Sequence, residues 1–484
     1  MPYTDEQQAV IAAVSSGRRG KIIAVNSIAG SGKTSTARGI VEACKPKKGF
    51  YTAFNKAIVE DSREKFNGAI ECGTLHSLAY RHVQHPKVVF FTYSDVKEKI
   101  PYDSKSLVIS AVDEFYRSEE TDIKDWLREN GYGRELDSLI SRYAEYYLDP
   151  EHTTFNGMLK RFHLDLVEGA SVCHDLLILD ECQDTTAVSL AIFKLIEADR
   201  KVILGDRFQN IYGFMHTVNA FELLDDTEEY RLTRSFRCRP EIAEIVESYG
   251  KKALERRFIF RGNEALTTSD EPVSAVITRT NATLIRYMVA RMRVAKSFQL
   301  TRDIEEIFRG PVNVYLASKG KELKDRRYRH LSREYERFHK LHPSAGQLKF
   351  LSHLQEVLQN DKELQMSCNL LKSLAKDKIN ILSLKKKVKA LSPDPNFILT
   401  TAHAFKGLEA DDVTIGEDLN KFLGEIKAEI INKHNSLISD GWEGDIHIDN
   451  IRPRLDSVQR EELNTYYVAL SRAKCVLHNN AEID

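Results

Sequence analysis

The sequence predicts an α/β protein built from two parallel-sheet domains, each interrupted by a mainly helical insertion. Three observations lead there. Short apolar runs recur at 21–27, 174–181, 201–206 and 273–278, continuous rather than alternating, as in strands covered on both faces. The first of them runs straight into a glycine-rich turn and then into helix-compatible Ser35-Thr36-Ala37-Arg38-Gly39-Ile40-Val41. Between the runs lie two long stretches whose apolar residues recur at helical spacing.

Taken in order, residues 1–80 alternate strand and helix, with strands expected at 21–27, 49–55 and 70–74. Residues 81–172 then change character. Leu107, Val108, Ala111, Val112 and Phe115 follow Ser104 at helical spacing, as do Leu136, Leu139, Ile140 and Tyr143, and Phe155, Met158, Leu159 and Phe162. Gly131 and Pro150 punctuate them, which predicts an all-helical insertion. Residues 173–250 return to strands and complete the first domain. The second domain takes 251–318 and 393–484, with strands expected at 273–278, 311–317, 397–402 and near the C-terminus. Inside it, 319–392 forms the second helical insertion, with Ile381, Leu384, Val388 and Leu391 on one face.

Composition narrows the class. A chain of 484 residues is too long for one core, and its length alone suggests about three or four domains. With 42% hydrophobic and 29% charged residues it reads as soluble and globular. The longest apolar runs, such as Leu176-Leu177-Ile178-Leu179, fall far short of a membrane span, so no membrane is expected. The N-terminus lacks the basic start and apolar stretch of a secretion signal. Seven cysteines without a Cys-x-x-Cys pair argue against a zinc or iron–sulfur module and against a disulfide framework. A cytoplasmic compartment is expected, or the nucleus in a eukaryote and the host cytoplasm for a virus. A net charge of −1 neither advertises a polyanion nor excludes one, because a basic groove can be balanced by acidic surface elsewhere.

The chemistry starts at Ser27-Ile28-Ala29-Gly30-Ser31-Gly32-Lys33-Thr34. Gly30 and Gly32 let the backbone curl close to an anion, and the N–H groups from Ala29 through Ser31 to Ser35 then point at phosphates. Lys33 adds positive charge near the β/γ-phosphates and Thr34 offers a hydroxyl to Mg²⁺. This is a phosphate-binding loop for a nucleoside triphosphate, ATP. Ser27 stands where such loops usually open with Gly or Ala. The apolar run ending Leu179-Asp180-Glu181-Cys182-Gln183-Asp184 supplies a carboxylate for Mg²⁺, Asp180, and a proton acceptor for an attacking water, Glu181. A third run enters Gly205-Asp206-Arg207-Phe208-Gln209-Asn210-Ile211-Tyr212-Gly213-Phe214. Gln209 is placed there to sense the γ-phosphate. Tyr212 and Phe214 present aromatic faces, either as stacking platforms or as core. Arg237, in Ser235-Phe236-Arg237, and Arg472, near the C-terminus, are candidates to neutralise transition-state charge.

In this order, these segments resemble the superfamily 1 helicases of the UvrD/Rep/PcrA type over most of the chain. Thr4-Asp5-Glu6-Gln7-Gln8 is similar to their adenine-reading Q motif, with Gln7 the reader and Gln8 the alternative. Ser235-Phe236-Arg237 resembles motif IV, with Phe236 able to stack on adenine. Thr400-Thr401-Ala402-His403-Ala404-Phe405-Lys406-Gly407-Leu408-Glu409 resembles motif V, and 467–474 motif VI. Ala53-Phe54-Asn55-Lys56-Ala57, Thr74-Leu75-His76-Ser77-Leu78-Ala79-Tyr80 and Arg279-Thr280-Asn281-Ala282-Thr283 look most like the core of the F-box DNA helicases and their viral or bacterial relatives. With the Q motif beginning at residue 4 and ten residues left after Lys474, neither an F-box before the core nor a nuclease after it is expected.

The resemblance implies two RecA-like domains sandwiching Mg-ATP. Lys33, Thr34, Asp180, Glu181 and Gln209 come from one, Glu409 (on the ribose) and Arg472 from the other, and Arg237 completes the charge clamp. It places Phe54, Asn55, Thr74, His76, Tyr212, Phe214, Thr401 and His403 along single-stranded DNA, gripped without sequence preference. The implied activity is ATP-driven 3′-to-5′ movement on single strands and unwinding at single/double-strand junctions, in replication, repair or recombination. A translocase that strips proteins from single strands shares every motif; an ATP-gated DNA-binding scaffold is the rival of another class. Residues 319–340 carry nine Lys/Arg against four Asp/Glu and 385–389 read Lys-Lys-Lys-Val-Lys. Such runs are ordinarily solvated faces; touching duplex is the alternative.

Overall fold

The computed structural model describes residues 2–17, 21–53, 56–358, 361–439 and 446–479. The chain divides into two compact units, Met1–Ser235 and Phe236–Asp484.

The first unit is organised by a parallel sheet of six strands among the described residues. These are β1 (Ile22–Ser27), β2 (Gly49–Ala53), β3 (Glu71–Gly73), β4 (Leu176–Asp180), β5 (Lys201–Gly205) and β6 (Thr227–Leu232), in spatial order β6-β1-β5-β4-β2-β3. Strand pleat sends alternate side chains to opposite faces. Ala24, Phe50, Leu177, Leu179 and Ile203 enter one buried core, while Ile23, Val25, Tyr51, Ile178, Val202 and Leu204 enter the other. With both faces covered, these strands read as continuous apolar runs. β6 escapes that pattern because it is an edge strand whose Glu228, Glu229 and Arg231 are exposed. All six C-terminal ends lie at one side of the sheet, the side on which open α/β sheets carry their sites.

Helices Tyr102–Arg117, Ile123–Asn130 and Arg134–Tyr146 bury Val108, Val112, Phe115, Trp126, Ile140 and Tyr143 in a core of their own. Helix Phe155–Val167, expected with them, instead sends Met158, Leu159, Phe162 and Leu166 into the core on the sheet face.

The second unit has a parallel sheet of β7 (Ser274–Thr278), β8 (Gln299–Leu300), β9 (Phe397–Thr401), β10 (Ala410–Ile415) and β11 (Ala473–His478), in order β8-β9-β7-β10-β11. One expectation is corrected here: 311–317 is no strand but part of helix Arg309–Ala317. Gly310, Val314 and Ala317 are buried at helical spacing, and Pro311 sits in the first turn, where its missing N–H costs no helical hydrogen bond. Helices Arg329–Leu341, Gln347–Val357, Lys362–Lys376 and Ile381–Lys389 follow, and their Phe338, Phe350, Leu354 and Leu371 share one core with Val276, Ile285 and Leu399 at the sheet. Among the described residues no helix is long and apolar enough to cross a membrane.

Candidate active site

β1 ends at Ser27, fully buried, whose hydroxyl donates to Val25 O at 3.3 Å. The loop then turns through Gly30 (φ +73°) and Gly32 (φ +81°), a left-handed backbone that a side chain would strain, and Gly32 opens helix Lys33–Cys44. The loop is thus a curl of N–H groups at a helix start, an anion cradle. Ser31 Oγ is buried there without a hydrogen-bond partner among the described residues, as a phosphate-facing hydroxyl would be. The amide of Gln7 is engaged within the chain: its oxygen takes Thr4 N at 3.0 Å and its nitrogen donates to Thr36 Oγ1 at 3.1 Å and Gly32 O at 3.4 Å. Gln8 donates to Tyr3 O at 2.9 Å.

The carboxylates stand beside this cradle because β1, β5 and β4 are consecutive in the sheet. Lys33 Nζ lies 3.2 Å from Glu181 Oε1. Burial alone would lower the Lys33 pKa, but Glu181, Asp180 and Asp206 outweigh it and hold the ammonium above its ordinary range. Asp180 is buried at the end of β4; desolvation and then Glu181 push its pKa up to about 6, against the pull of Lys33 and of a hydrogen bond from Tyr51. Glu181 adopts φ +51°, ψ +41°, a left-handed conformation that costs a non-glycine residue and turns its side chain off the strand. Its Oε2 takes Gln183 Nε2 at 2.5 Å. Just past β5, Asp206 accepts from Gln209 Nε2 at 2.7 Å and from Phe208 N at 3.1 Å, and its own N–H donates to Gln183 Oε1 at 3.2 Å. Gly205 leaves the room for this, since a Cβ there would stand 2.4 Å from Gln183 Oε1.

This geometry brings Lys33, Asp180, Glu181 and Gln209 together, with Thr34 and Ser35 on the first turn of the loop helix. Sequence reasoning gave no role to Asp206, although it ends an apolar strand as Asp180 does, and that signal was available. It also missed Tyr51 and Glu6, whose carboxylate takes Thr233 N at 2.7 Å.

In the second unit, Arg237 Nε donates to Glu409 Oε2 at 2.7 Å and its Nη1 to Ser471 O at 3.2 Å. Arg472 is buried and spends its guanidinium on Val468 O (3.0 Å), Ser471 Oγ (3.1 Å) and Leu408 O (3.4 Å). Phe236 is half-buried.

The AAA domain family matches residues 8–215, the span that carries the phosphate loop and both strand-end carboxylate sites. The F-box DNA helicase protein 1 of Schizosaccharomyces pombe is 24% identical over 94% of this chain and 55% of its own length. The F-box DNA helicase 1 of Gallus gallus is also 24% identical, over 95% of this chain and 47% of its own. Together these similarities support a superfamily 1 helicase core. It spans about half the length of the curated relatives it matches.

The remaining candidate residues divide between the two units. Thr74 caps helix Leu75–His82 by accepting from Ser77 N, and Thr401, at the end of β9, caps helix Ala402–Phe405 by accepting from Ala404 N at 3.4 Å. His76 stacks on Phe155 (ring centroids 4.2 Å apart, 10° between planes), with Nε2 3.3 Å from Asn156 Oδ1. Desolvation lowers the His76 pKa to about 4, so near neutrality its imidazole offers a stacking face and not a positive charge. His403 Nε2 lies 3.8 Å from Glu461. Tyr212 is half-buried at the start of the turn Gly213–Met215; of the Phe214 side chain nothing is described. Phe54 and Asn55 lie outside the described residues.

A cavity of about 600 Å³ beside His76 is lined by Tyr80, Arg81, Val88 and Phe155. A smaller one, about 60 Å³, has Asp180 and Glu181 on its walls together with Thr74, His76, Arg117 and Asn156. Thr74 and His76 line both cavities.

Proposed function

We propose that this chain is an ATP-dependent DNA helicase that moves 3′ to 5′ on single-stranded DNA. The observation that carries the reading is the convergence of Lys33, Asp180, Glu181 and Gln209 at the ends of neighbouring strands, beside an anion cradle with a buried, unpartnered hydroxyl. Phosphate oxygens at the cradle compete for Lys33 and release the Glu181 carboxylate to accept a proton from water. Gln209, fixed by Asp206, reports the γ-phosphate. Among the described residues no cluster of three or more His, Cys, Asp or Glu could hold a metal. Mg²⁺ suits a site with few protein donors: the Asp180 carboxylate and the Thr34 hydroxyl would hold it together with nucleotide phosphates. Once bound, it neutralises charge on the phosphates.

In the second unit we assign Glu409 to the ribose and Arg237 and Arg472 to the developing charge, by motif. Glu409 and Arg237 exchange their mutual ion pair for nucleotide contacts. We assign 81–172 and 319–392 as accessory subdomains, and Thr74, His76, Tyr212, Phe214, Thr401 and His403, with Phe54 and Asn55, to the single strand.

The deciding experiment is ATP hydrolysis with and without single-stranded DNA, using Glu181→Gln as the blank. Loss of a general base costs about 10²–10⁴-fold, so the variant keeps nucleotide affinity and loses turnover. Strong DNA stimulation that vanishes in the variant supports the reading. Hydrolysis indifferent to DNA removes the motor and leaves an ATP-gated binding protein.

A further inference from the structure

Asp180 is held from two directions. One oxygen, Oδ1, takes the backbone N–H of Glu181 at 2.8 Å, a bond local to its own chain. The other, Oδ2, takes the hydroxyl of Tyr51, which in turn accepts from Ser62 Oγ at 3.2 Å. Tyr51 is fully buried on β2, two strand positions before its end, and β2 pairs with β4 so that Ala53 stands opposite Asp180. Ser62 is buried in helix Lys56–Phe66, which follows β2 directly. The three residues therefore link a strand-end carboxylate to both elements flanking the 54–55 segment.

A tyrosine that only filled the core would need no hydroxyl. The ring already packs on Phe66, 4.9 Å between centroids, among Val59, Ile70 and Ile178. Burying a hydroxyl costs free energy unless it is hydrogen-bonded, and here it is used on both its donor and its acceptor side. Thr52, the next residue, has a buried Oγ1 without a partner among the described residues and lines the small cavity shared by Asp180, Glu181 and His76. The end of β2, Thr52 and Ala53, thus lines the same small cavity as the two carboxylates.

We propose that Tyr51 is a positioning residue: it fixes the Asp180 carboxylate for the metal–nucleotide complex and ties it, through Ser62, to helix Lys56–Phe66, whose Lys56, Val59 and Arg63 line a cavity with Thr74 and His76, residues assigned above to the single strand. The first half rests on the proposed role of Asp180 as a metal ligand, the second on the helicase reading. Groups that orient metal ligands from behind typically carry about 10–100-fold in metal affinity.

The test is Tyr51→Phe in the full chain, which deletes one oxygen and keeps the ring. Three quantities are compared with wild type: Mn²⁺ affinity in the presence of ADP by electron paramagnetic resonance, the stimulation of ATP hydrolysis by single-stranded DNA, and the thermal midpoint. The expected result is Mn²⁺ affinity weakened about tenfold and DNA stimulation reduced several-fold, with a midpoint within a few degrees. Wild-type Mn²⁺ affinity in the variant overturns the proposal. Should Tyr51→Phe fail to fold, Ser62→Ala leaves the tyrosine in place and must still weaken Mn²⁺ binding; no change there overturns it equally. If wild type itself shows no DNA stimulation, the helicase reading falls, and the Mn²⁺ comparison still decides the role of Tyr51.

Discussion

The first helical insertion packs largely on itself, whereas the second shares a single core with its sheet. Val108, Phe115, Trp126, Ile140 and Tyr143 touch one another, separate from the sheet cores. Phe338, Phe350, Leu354 and Leu371 are continuous with Val276 and Leu399. The polar seams differ too. At the first, Lys160 Nζ donates to Ser118 O at 2.9 Å and to Glu120 O over the Phe115 ring, and burial pushes its pKa down to about 7. His163 beside it is lowered to about 4 by burial and then by Lys160. At the second, carboxylates dominate. Glu462 pairs with Arg279 at 2.9 Å, Asp418 takes Thr280 N at 2.8 Å, and Glu363 takes Asn281 N at 3.1 Å. Burial raises the Glu363 pKa to about 7. An insertion with its own core can lose packing while its sheet stays intact; one that shares a core takes its sheet's packing with it.

The largest effect that separates them is a core truncation. Phe350→Ala is expected to cost about 3–5 kcal/mol and to expose amides of β7 and β9 to hydrogen exchange. Trp126→Ala, of similar cost to the first insertion, leaves β1 and β4 protected; loss of protection there would break the comparison. Next comes acid. A histidine whose folded pKa lies below its unfolded value of 6.5 contributes stability above that value, which is lost as pH falls toward about 4. For buried His163 the swing is up to about 3 kcal/mol, and His163→Leu should remove it from the pH dependence of denaturant unfolding. Glu363 works with the opposite sign: its raised folded pKa gives stability present below 4.5 and lost as pH rises through about 7. Glu363→Gln should therefore gain about 1–2 kcal/mol at pH 8 and nothing at pH 4. Smallest is Arg117→Ala. Arg117 pairs with Asp113 at 2.8 Å and donates to Met215 O at 3.0 Å. Its loss should cost under about 1 kcal/mol while altering the His76 ring signals in NMR.

These seams also show what a sequence can and cannot reveal. The phosphate loop and the strand-end carboxylates were legible because their chemistry needs particular residues adjacent in the chain. Residues 311–317 misled because a short apolar run with Val312 and Val314 suits either strand or helix, and only the buried spacing of Gly310, Val314 and Ala317 decides. β10 stayed hidden because buried Asp411 breaks its apolar pattern; that carboxylate takes Val273 N at 3.0 Å and pairs with Lys474 at 3.4 Å. The Arg237–Glu409 pair joins residues 172 positions apart, and no local pattern announces it.

Gln183 has a consequence of its own. Its amide nitrogen is bonded to Glu181, its amide oxygen to the Asp206 N–H, and its backbone carbonyl to Asn210. Turned end for end, the amide would set oxygen against carboxylate and N–H against N–H, so it has a single polarity. The absent Cβ of Gly205 clears the space it occupies, and the same crowding denies it room to swing. Gln183 thus joins Glu181, just past β4, to the backbone of Asp206 and to Asn210, two residues before Tyr212.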